Sequence, residues 1–328
     1  MFAKALILGL ACLPSWAINV PSTQERRGYP LVGYLGAFFY GHDPYVYLYT
    51  SLNSDPTNFT VLNDGDPVIV PTLGTGGVRD PTIVRGRGTD LGSYWLLGTD
   101  LDISKTNWDD ADRIGSRAMF IWQSDDLVTW SDERLVTMEN ETAGMVYAPD
   151  AIWDGDKSVY HSNSESFNED DLDHEGRSTS YTIRYSYTTD FETFTDPQDW
   201  FGGGRLDANL LQLDGSSYAR FYKNQSASQI YQQISANGLL GDWSEGTAVM
   251  DDNTEGPYAF WDNVESNKAH LLLDYYSGGT GYVDFDSDSV EDGVWERNED
   301  SSIPTGLRHG SVLAINQGDL TALQRAYL

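Results

Sequence analysis

The segment VRDPTIV, residues 78–84, decides the fold because four later segments repeat its plan. They read YAPDAIW (147–153), RLDANLL (205–211), NTEGPYAF (253–260) and LRHGSVL (307–313). Each of the five segments follows a polar turn that ends on an aromatic residue, and these aromatic residues are Phe59, Trp130, Phe194, Trp243 and Trp295. Repetition in a fixed order predicts an array of similar sheets.

The third residue of each segment is the most informative position of the repeat. These residues are Asp80, Pro149, Asp207, Glu255 and His309. If the sheets are arranged radially, each segment begins an innermost strand near one mouth of a central channel, so the five residues should point at a common centre. A centre that gathers three carboxylates predicts catalysis.

Short β-rich stretches fill the rest of the chain, and clusters of Gly, Asp, Asn and Ser separate them, whereas only residues 317–328 look helical. We predict an all-β fold, a five-bladed β-propeller, with the inner strands of four blades at 78–84, 147–153, 205–211 and 255–260. A fifth inner strand at 309–315 lacks outer strands, and residues 31–62 contain strands with no such segment before them. We therefore expect the N-terminal strands to pair with the C-terminal strand and close the ring. A WD-repeat propeller, the alternative, needs a tighter period of about 40–45 residues and Gly-His and Trp-Asp marks that this chain lacks.

The first residues resemble a secretory signal peptide. Lys4 precedes an apolar run over 5–16, and the small residue Ala17 follows. We expect residues 1–17 to be removed, although an uncleaved anchor is the alternative, and residues 18–328 to form a single catalytic domain in the extracellular space. The one cysteine, Cys12, lies within the signal, so a large core rather than disulfides must hold the mature protein together. The sequence also predicts N-glycosylation, if the host is eukaryotic, at Asn58, Asn140 and Asn224.

The formal net charge of −30 restricts the partners of the protein. A field of this sign repels nucleic acids and anionic membranes, while a neutral polysaccharide or oligosaccharide remains open. The histidines show no spacing typical of a transition-metal site. The chain also lacks a Gly-x-Ser-x-Gly elbow and a phosphate-binding Gly-x-x-x-x-Gly-Lys loop, so nucleophilic triads and nucleotide chemistry are poorly supported.

The three carboxylates of the repeat suit glycoside hydrolysis. Such enzymes place one ionised carboxylate to activate water and one protonated carboxyl to donate to the leaving oxygen. A third carboxylate beside the acid raises its pKa by like-charge repulsion. The distance between acid and base decides the stereochemistry, since roughly 6.5–9.5 Å gives inversion and roughly 5–5.5 Å gives retention.

The five segments together resemble glycoside hydrolase family 43. The residues that carry the resemblance occur in that family's order over nearly the whole mature chain, and they are Arg79-Asp80-Pro81, Tyr147-Ala148-Pro149-Asp150, Leu206-Asp207-Ala208, Thr254-Glu255-Gly256-Pro257 and Arg308-His309-Gly310. The resemblance implies an inverting enzyme on a five-bladed β-propeller, with an activity similar to arabinanases, α-L-arabinofuranosidases and β-xylosidases.

The resemblance also implies a role for each matching residue. Asp80 would be the general base, Asp207 would modulate the pKa of the acid and orient substrate, and Glu255 would be the general acid. His309 would contact substrate or, through water, a structural ion, and we include Asp150 among the substrate-binding candidates although it also suits support of the channel rim. Taken singly, Asp80 could cap a turn and His309 could be a core histidine. The chain departs from the pattern of the family in two ways. About sixty residues of the mature chain precede Asp80, and the residues flanking Asp207 differ from those of many members.

We therefore expect a secreted, inverting glycoside hydrolase that acts on plant cell-wall polysaccharide, in the first place an α-L-arabinofuranosidase. A β-xylosidase or endo-arabinanase of the same family and a non-catalytic carbohydrate-binding propeller are the alternatives. No cofactor is implied, although a structural calcium ion is compatible with the resemblance. Aromatic platforms for sugar should lie on loops at the channel mouth, with candidates at Phe38, Phe39, His42 and Trp153.

Overall fold

The computed structural model describes residues 30–87, 92–155, 157–250 and 253–328, so the predicted signal peptide and Cys12 lie outside the described residues. The described chain is almost entirely β-structure, as predicted. Two α-helices accompany the strands, α1 (Trp108–Ile114) and α2 (Gln317–Tyr327), and the second of them is the predicted C-terminal helix. Neither helix has the length and apolar character that crossing a membrane would require.

Twenty strands are present in the described residues. In chain order they are β1 (Leu31–Tyr40), β2 (Asp43–Leu52), β3 (Asp55–Val61), β4 (Val78–Arg85), β5 (Tyr94–Asp100), β6 (Ala118–Ser124), β7 (Arg134–Thr137), β8 (Ala143–Asp154), β9 (Lys157–Ser166), β10 (Ser180–Thr188), β11 (Gln198–Gly202), β12 (Arg205–Gln212), β13 (Tyr218–Asn224), β14 (Gln229–Ser235), β15 (Thr247–Ala248), β16 (Glu255–Trp261), β17 (Ala269–Tyr275), β18 (Gly281–Ser287), β19 (Glu296–Arg297) and β20 (Leu307–Asn316).

These strands form five four-stranded antiparallel sheets. Four of the sheets take consecutive strands, β4 to β7, β8 to β11, β12 to β15 and β16 to β19. The remaining sheet has the order β20-β1-β2-β3, and Ala37 of β1 lies opposite Ser311 of β20. The predicted pairing of N-terminal strands with the C-terminal strand is therefore present.

The innermost strands of the sheets, β4, β8, β12, β16 and β20, surround one axis. Each contacts the next in chain order, and β20 contacts β4. All five line a cavity at the end where they begin and a second cavity at the end where they finish. The radial arrangement predicted from the repeat is therefore observed, and the fold is an all-β propeller.

Apolar layers between neighbouring sheets explain why an aromatic residue ends each repeated turn. Five separate core clusters each join two adjacent sheets, and each contains one of these residues. Phe38, for example, packs edge-to-face on Phe59 and on Tyr282 of another sheet, with ring centroids 5.3 and 5.7 Å apart. Burial of large aromatic side chains contributes much of the energy that holds two sheets together. The aromatic residues that mark the repeat are Phe59, Trp130, Phe194, Trp243 and Trp295.

Each innermost strand carries a β-bulge near its start. In β4 the step from Arg79 to Thr82 lies opposite the shorter step from Thr99 to Leu97, so one residue is extra. The same irregularity occurs in β8, β12, β16 and β20. Bulges bend a strand and redirect its side chains, and they are frequent beside active sites.

The bulges correct the alignment made from sequence. The bulged residues of four strands have left-handed φ angles, +51° at Asp80, +50° at Ala148, +51° at Asp207 and +52° at Gly256. Pro149 and Glu255 are therefore each one residue away from the position equivalent to Asp80. The reason is that the residue before the proline occupies the bulge in the segments Asp80-Pro81, Ala148-Pro149 and Gly256-Pro257, and only in the first of them is that residue a carboxylate.

Candidate active site

Four of the predicted site residues line a single pocket at the start of the innermost strands. Asp80, Asp207, Glu255 and His309 surround a cavity of about 180 Å³. The three carboxylates come from three different sheets, so the propeller brings together residues that are up to 175 positions apart (80 to 255) in the chain. This geometry agrees with the common centre expected from the repeat.

Asp80 is fixed by two neighbours. Thr99 Oγ1 donates a hydrogen bond to Asp80 Oδ2 at 2.7 Å, and the same hydroxyl accepts from the Ala148 N–H at 2.8 Å. The other carboxylate oxygen, Oδ1, lies 3.5 Å from His309 Nδ1. The hydroxyl therefore links two bulges and holds the carboxylate in one orientation. A left-handed φ is uncommon for a residue with a side chain, and such conformations concentrate at functional sites.

Asp207 lies beside the segment that carries Glu255. The Gly256 N–H donates to Asp207 Oδ2 at 3.2 Å, and the Asp207 residue is buried. Gly256 itself must be glycine, because a Cβ there would lie 2.6 Å from His309 Cγ. Close packing of these bulges is thus what sets Asp207, Glu255 and His309 side by side.

Glu255 is held by two cations. Arg308 Nη2 lies 2.6 Å from Glu255 Oε1, and Lys223 Nζ lies 2.9 Å from Glu255 Oε2. Burial lowers the pKa of Lys223, but Glu255 and Asp207 outweigh it and raise that pKa overall. Both cations therefore remain charged at neutral pH and keep the Glu255 side chain in place.

Asp274 supports this arrangement from below. The fully buried Asp274 Oδ2 accepts from Arg308 Nε at 2.6 Å and from the His309 N–H at 3.2 Å. Burial raises the pKa of Asp274 to about 6; Arg308 opposes the rise and Glu255 adds to it. Asp274 thereby orients both Arg308 and His309, although its position in β17 is outside the repeated segments.

Asp150 lies beneath the pocket instead of lining it. Its Oδ2 accepts from Asn209 Nδ2 at 2.9 Å, its Oδ1 accepts from the Ala151 N–H at 2.7 Å, and His161 Nε2 is 4.0 Å away. Burial raises the pKa of Asp150, against the lowering effect of His161, and burial lowers the pKa of His161. A direct contact with substrate is therefore not supported, because the carboxyl is buried and both oxygens already accept hydrogen bonds.

These contacts also bear on calcium, which requires six to eight oxygen ligands. In the buried layer around Asp150, the described side chains pair with one another and do not form such a set by themselves. His309 Nδ1 faces Asp80, so the histidine belongs to the carboxylate pocket. The side chains of the described residues at this centre thus do not fit a calcium ion held by protein ligands alone.

Several residues of the pocket wall were not predicted from sequence. Trp108, at the start of α1, is 56% exposed and lines the cavity together with Tyr147 and Tyr181. The Arg79 guanidinium lies 5.3 Å from the Trp108 ring centre, and burial lowers the pKa of Arg79 although Asp80 opposes the effect. An exposed tryptophan beside a polar pocket is a surface on which a sugar ring can stack.

The aromatic platforms predicted from sequence lie elsewhere. Phe38 and Phe39 are buried in the core, at 0% and 1% exposure. Trp153 lines the second cavity, of about 510 Å³, at the opposite end of the innermost strands. His42 is exposed but does not line the carboxylate pocket. The prediction failed because residue type does not reveal whether an aromatic side chain packs between two sheets, as Phe38 does, or lines the opposite end of the channel, as Trp153 does.

Comparison with known proteins shows the family to which the chain belongs. A family model described as "Probable glycosyl hydrolase domain", related to glycoside hydrolase family 43, matches residues 29–321. A curated α-L-arabinofuranosidase of Bifidobacterium longum subsp. longum is 30% identical over 226 residues, which are 63% of this chain and 21% of that protein. The chain therefore spans about one fifth of the length of this relative.

Solved structures show the same fold at low sequence identity. The catalytic domain of a GH62 α-L-arabinofuranosidase from Coprinopsis cinerea has a TM-score of 0.50 and 14% identity, over 73% of this chain and 74% of that one. The GH43_1 enzyme from Xanthomonas citri, complexed with xylose, has a TM-score of 0.50 and 15% identity, over 74% and 75% of the two chains. Together with the family match over almost all of the described residues, these findings lead to one conclusion: the chain belongs to the glycosyl hydrolase domain family related to glycoside hydrolase family 43.

Proposed function

We propose that the protein is a secreted, inverting glycoside hydrolase that removes terminal α-L-arabinofuranosyl units from plant cell-wall polysaccharide. In this proposal residues 18–328 form one catalytic domain, and the five sheets are the blades of a ring closed by β1 and β20. The observation that carries the proposal is the convergence of Asp80, Asp207 and Glu255 on one pocket. This is the set of groups that hydrolysis by a general acid and a general base requires.

The reaction divides between two sides of the pocket. Asp80 accepts a proton from a water molecule, whose oxygen attacks the anomeric carbon of the sugar. The bond between that carbon and the leaving oxygen breaks, and Glu255 donates a proton to the leaving oxygen. The cycle ends with a protonated Asp80 and an ionised Glu255, and exchange of one proton with solvent restores both. Thr99 is a positioning residue here, because its hydroxyl donates to Asp80 and holds that carboxylate in place.

Glu255 has to change partners during this cycle. In the present arrangement each of its oxygens is engaged by a cation, Arg308 on one side and Lys223 on the other. A carboxyl that carries a proton needs one oxygen free to donate it. We infer that substrate binding displaces one of the two contacts, so that the freed oxygen of Glu255 can carry and donate the proton.

The size of the pocket favours attack on a terminal sugar. Its volume of about 180 Å³ is below the roughly 300–1,000 Å³ typical of sites that enclose a drug-sized ligand. A single sugar ring suits such a space better than several linked units. The net charge of −30 agrees with a neutral substrate, since an acidic polysaccharide would be repelled.

The choice of arabinose rests on the relatives. The curated relative is named as an α-L-arabinofuranosidase, and so is the protein from Coprinopsis cinerea, whereas the Xanthomonas citri enzyme was solved with xylose. A β-xylosidase or an endo-arabinanase would use the same carboxylates. A non-catalytic carbohydrate-binding propeller would keep the pocket but would not depend on Asp80 and Glu255 for turnover.

Kinetics of three variants test the proposal. Asp80→Asn and Glu255→Gln should each lower the turnover of an arabino-oligosaccharide by about 10²–10⁴-fold, the usual contribution of one acid or base. An activated dinitrophenyl α-L-arabinofuranoside needs no protonation of its leaving group. Glu255→Gln should therefore recover much of its rate on that substrate, while Asp80→Asn should remain slow on both.

Asp109→Asn is the matched control, because it removes an exposed charge from α1 near the pocket without changing the lining. Its kinetics should equal those of the wild type. Equal losses by Asp80→Asn and Glu255→Gln on both substrates would contradict the assigned roles, and full activity in either variant would exclude that residue. A preference for the matching aryl β-D-xyloside would overturn the choice of sugar alone.

A further inference from the structure

A second polar cluster lies in the sheet of β16 to β19, away from the pocket. His270 of β17 pairs with Asp286 of β18, and Asp284 lies two residues earlier in β18, so both aspartates are on the face of His270. His270 also lies opposite Phe260, near the end of β16, whereas Glu255 begins that strand. Five residues of extended strand separate the two places by about 17 Å. The cluster is thus distinct from the candidate active site.

One nitrogen of His270 is already oriented. His270 Nε2 lies 3.3 Å from Asp262 Oδ2, and Asp262 Oδ1 accepts from the Val264 and Glu265 N–H groups at 2.7 Å each. When one N–H of an imidazole donates to a carboxylate, the orientation of the ring is fixed, and the lone pair of the other nitrogen can bind a metal ion. Here that other nitrogen, Nδ1, is directed toward Asp284 and Asp286.

Each of the three side chains has one buried polar atom without a hydrogen bond. His270 Nδ1, Asp284 Oδ1 and Asp286 Oδ1 each have no hydrogen-bond partner, although Nδ1 is only 2.7 Å from Asp286 Oδ1. Asp284 is 0% exposed and His270 is 1% exposed. The second oxygen of each aspartate has a partner. Asp284 Oδ2 accepts from Asn298 Nδ2 at 2.9 Å and lies 3.6 Å from His270 Nδ1, and Asp286 Oδ2 lies 2.8 Å from Lys268 Nζ.

The charges of the cluster favour a cation between the side chains of His270, Asp284 and Asp286. The carboxylates of Asp284 and Asp286 lie near His270 Nδ1, and the carboxylate of Asp262 lies near the other ring nitrogen. Lys268 contacts only the second oxygen of Asp286. Either a proton on Nδ1 or a metal ion between these side chains must offset the repulsion between the nitrogen lone pair and the two carboxylates.

We propose that His270 Nδ1, Asp284 and Asp286 bind one divalent transition-metal ion of the zinc type, with Asp262 orienting the imidazole. One imidazole and two carboxylates form a ligand set typical of zinc, whereas calcium prefers oxygen ligands alone. The candidate ligand atoms all lie within 4.8 Å of one another. Ligands about 2.0–2.2 Å from a shared ion can be at most about 4.4 Å apart, so binding draws the side chains together by a few tenths of an ångström.

The position of the site indicates what the ion does. Asp286 retains 24% side-chain exposure, which leaves a path from solvent. The ion joins β17 to β18 directly and joins the turn after β16 through Asp262. It therefore stabilises the outer part of one sheet and takes no part in hydrolysis at the pocket.

Zinc binding by the full chain tests the proposal. After treatment with a chelator and dialysis against zinc, the wild type should retain one zinc per chain, and cobalt in its place should give visible absorption bands. A hundredfold excess of zinc over its Kd should raise the thermal midpoint by about 3 °C or more. Asp284→Asn and the less buried Asp286→Asn should each lose most of the bound metal and the thermal shift.

His174→Gln is the matched control, because His174 is also buried but bonds only to the backbone oxygens of Arg113 and Glu141. This variant should bind zinc as the wild type does. Absence of zinc from a folded wild type, with no thermal shift, would overturn the proposal in favour of a protonated His270 alone. Undiminished zinc binding by folded Asp286→Asn would overturn it as well, because the ion would then lie elsewhere.

Discussion

Replacing Asp274 by asparagine should change the pH dependence of stability in a direction that the structure specifies. Asp274 is fully buried, its Oδ2 accepts from Arg308 and from the His309 N–H, and its Oδ1 has no hydrogen-bond partner. Asparagine has the same shape and its oxygen can accept the same two hydrogen bonds, but it carries no charge. The variant therefore isolates the effect of ionising this buried carboxyl.

The magnitude follows from the pKa of Asp274, which burial raises from 3.8 to about 6. A difference of about two pKa units corresponds to about 3 kcal/mol at 1.36 kcal/mol per unit. Because the folded protein binds this proton more tightly than the unfolded chain does, the contribution is fully present below about pH 4 and is lost as the pH rises through about 6. Between pH 4 and pH 7 the wild type should thus lose about 3 kcal/mol relative to Asp274→Asn.

Urea unfolding of both proteins at pH 4, 5, 6 and 7 measures this difference. Asp126→Asn supplies a control of opposite sign: burial acts to raise the pKa of Asp126, but the N–H groups of Thr129 and Val128 lower it overall. For Asp126→Asn the advantage of the wild type should be fully present above about pH 4 and should be lost only as the pH falls below that value, so the difference should stay nearly constant from pH 5 to pH 7. A difference between the wild type and Asp274→Asn that stays constant with pH, or that moves in favour of the wild type, would refute the account of Asp274.

Three further substitutions have defined outcomes. Gly256→Ala should destabilise the fold by about 1–3 kcal/mol and lower kcat, measured by urea unfolding and kinetics, because the new Cβ would lie 2.6 Å from His309 Cγ; unchanged stability would contradict the close packing. Trp108→Ala should raise KM several-fold and leave the thermal midpoint nearly unchanged, because the ring is 56% exposed; an unchanged KM would exclude stacking. Thr99→Val should lower kcat, since the hydroxyl that donates to Asp80 and holds it in one orientation is lost; an unchanged kcat would show that this bond does not position the base.

Much of the fold was predictable because the repeat records a physical requirement. Each sheet needs an aromatic residue against its neighbour, so Phe59 and Trp295 recur at equivalent places in the chain and fill equivalent inter-sheet cores. The pairing of β1 with β20 also followed from counting, since one inner strand had no outer strands after it. These inferences needed only the order of the segments and no three-dimensional detail.

The site was predictable only in part, because its geometry depends on one-residue shifts and on contacts between sheets. The sequence indicated Asp80, Asp207 and Glu255, but it did not show that a bulge at Gly256 offsets Glu255 by one position. Asp274 lies outside the repeated segments, in β17, and acts on the pocket only through its hydrogen bonds with Arg308 and His309. Contacts of this kind depend on register, which the pattern of residue types does not reveal.

The cluster around His270 illustrates the same limit. His270 was not predicted to bind a metal ion, because the spacing of the histidines along the chain is not typical of a transition-metal site. Fourteen and sixteen residues separate His270 from Asp284 and Asp286, and only the antiparallel pairing of β17 with β18 brings the three together. A short-range motif search cannot find ligands that come from neighbouring strands.

The most direct test of the central claim is the configuration of the sugar at the moment of release. Proton NMR should follow the hydrolysis of an aryl α-L-arabinofuranoside by the wild type at a concentration high enough to outrun mutarotation. An inverting site built on Asp80 and Glu255 predicts that the β-anomer of arabinose appears first and that the α-anomer follows only as the sugar equilibrates. First appearance of the α-anomer would contradict the account, because it requires a covalent intermediate and a carboxylate acting as nucleophile.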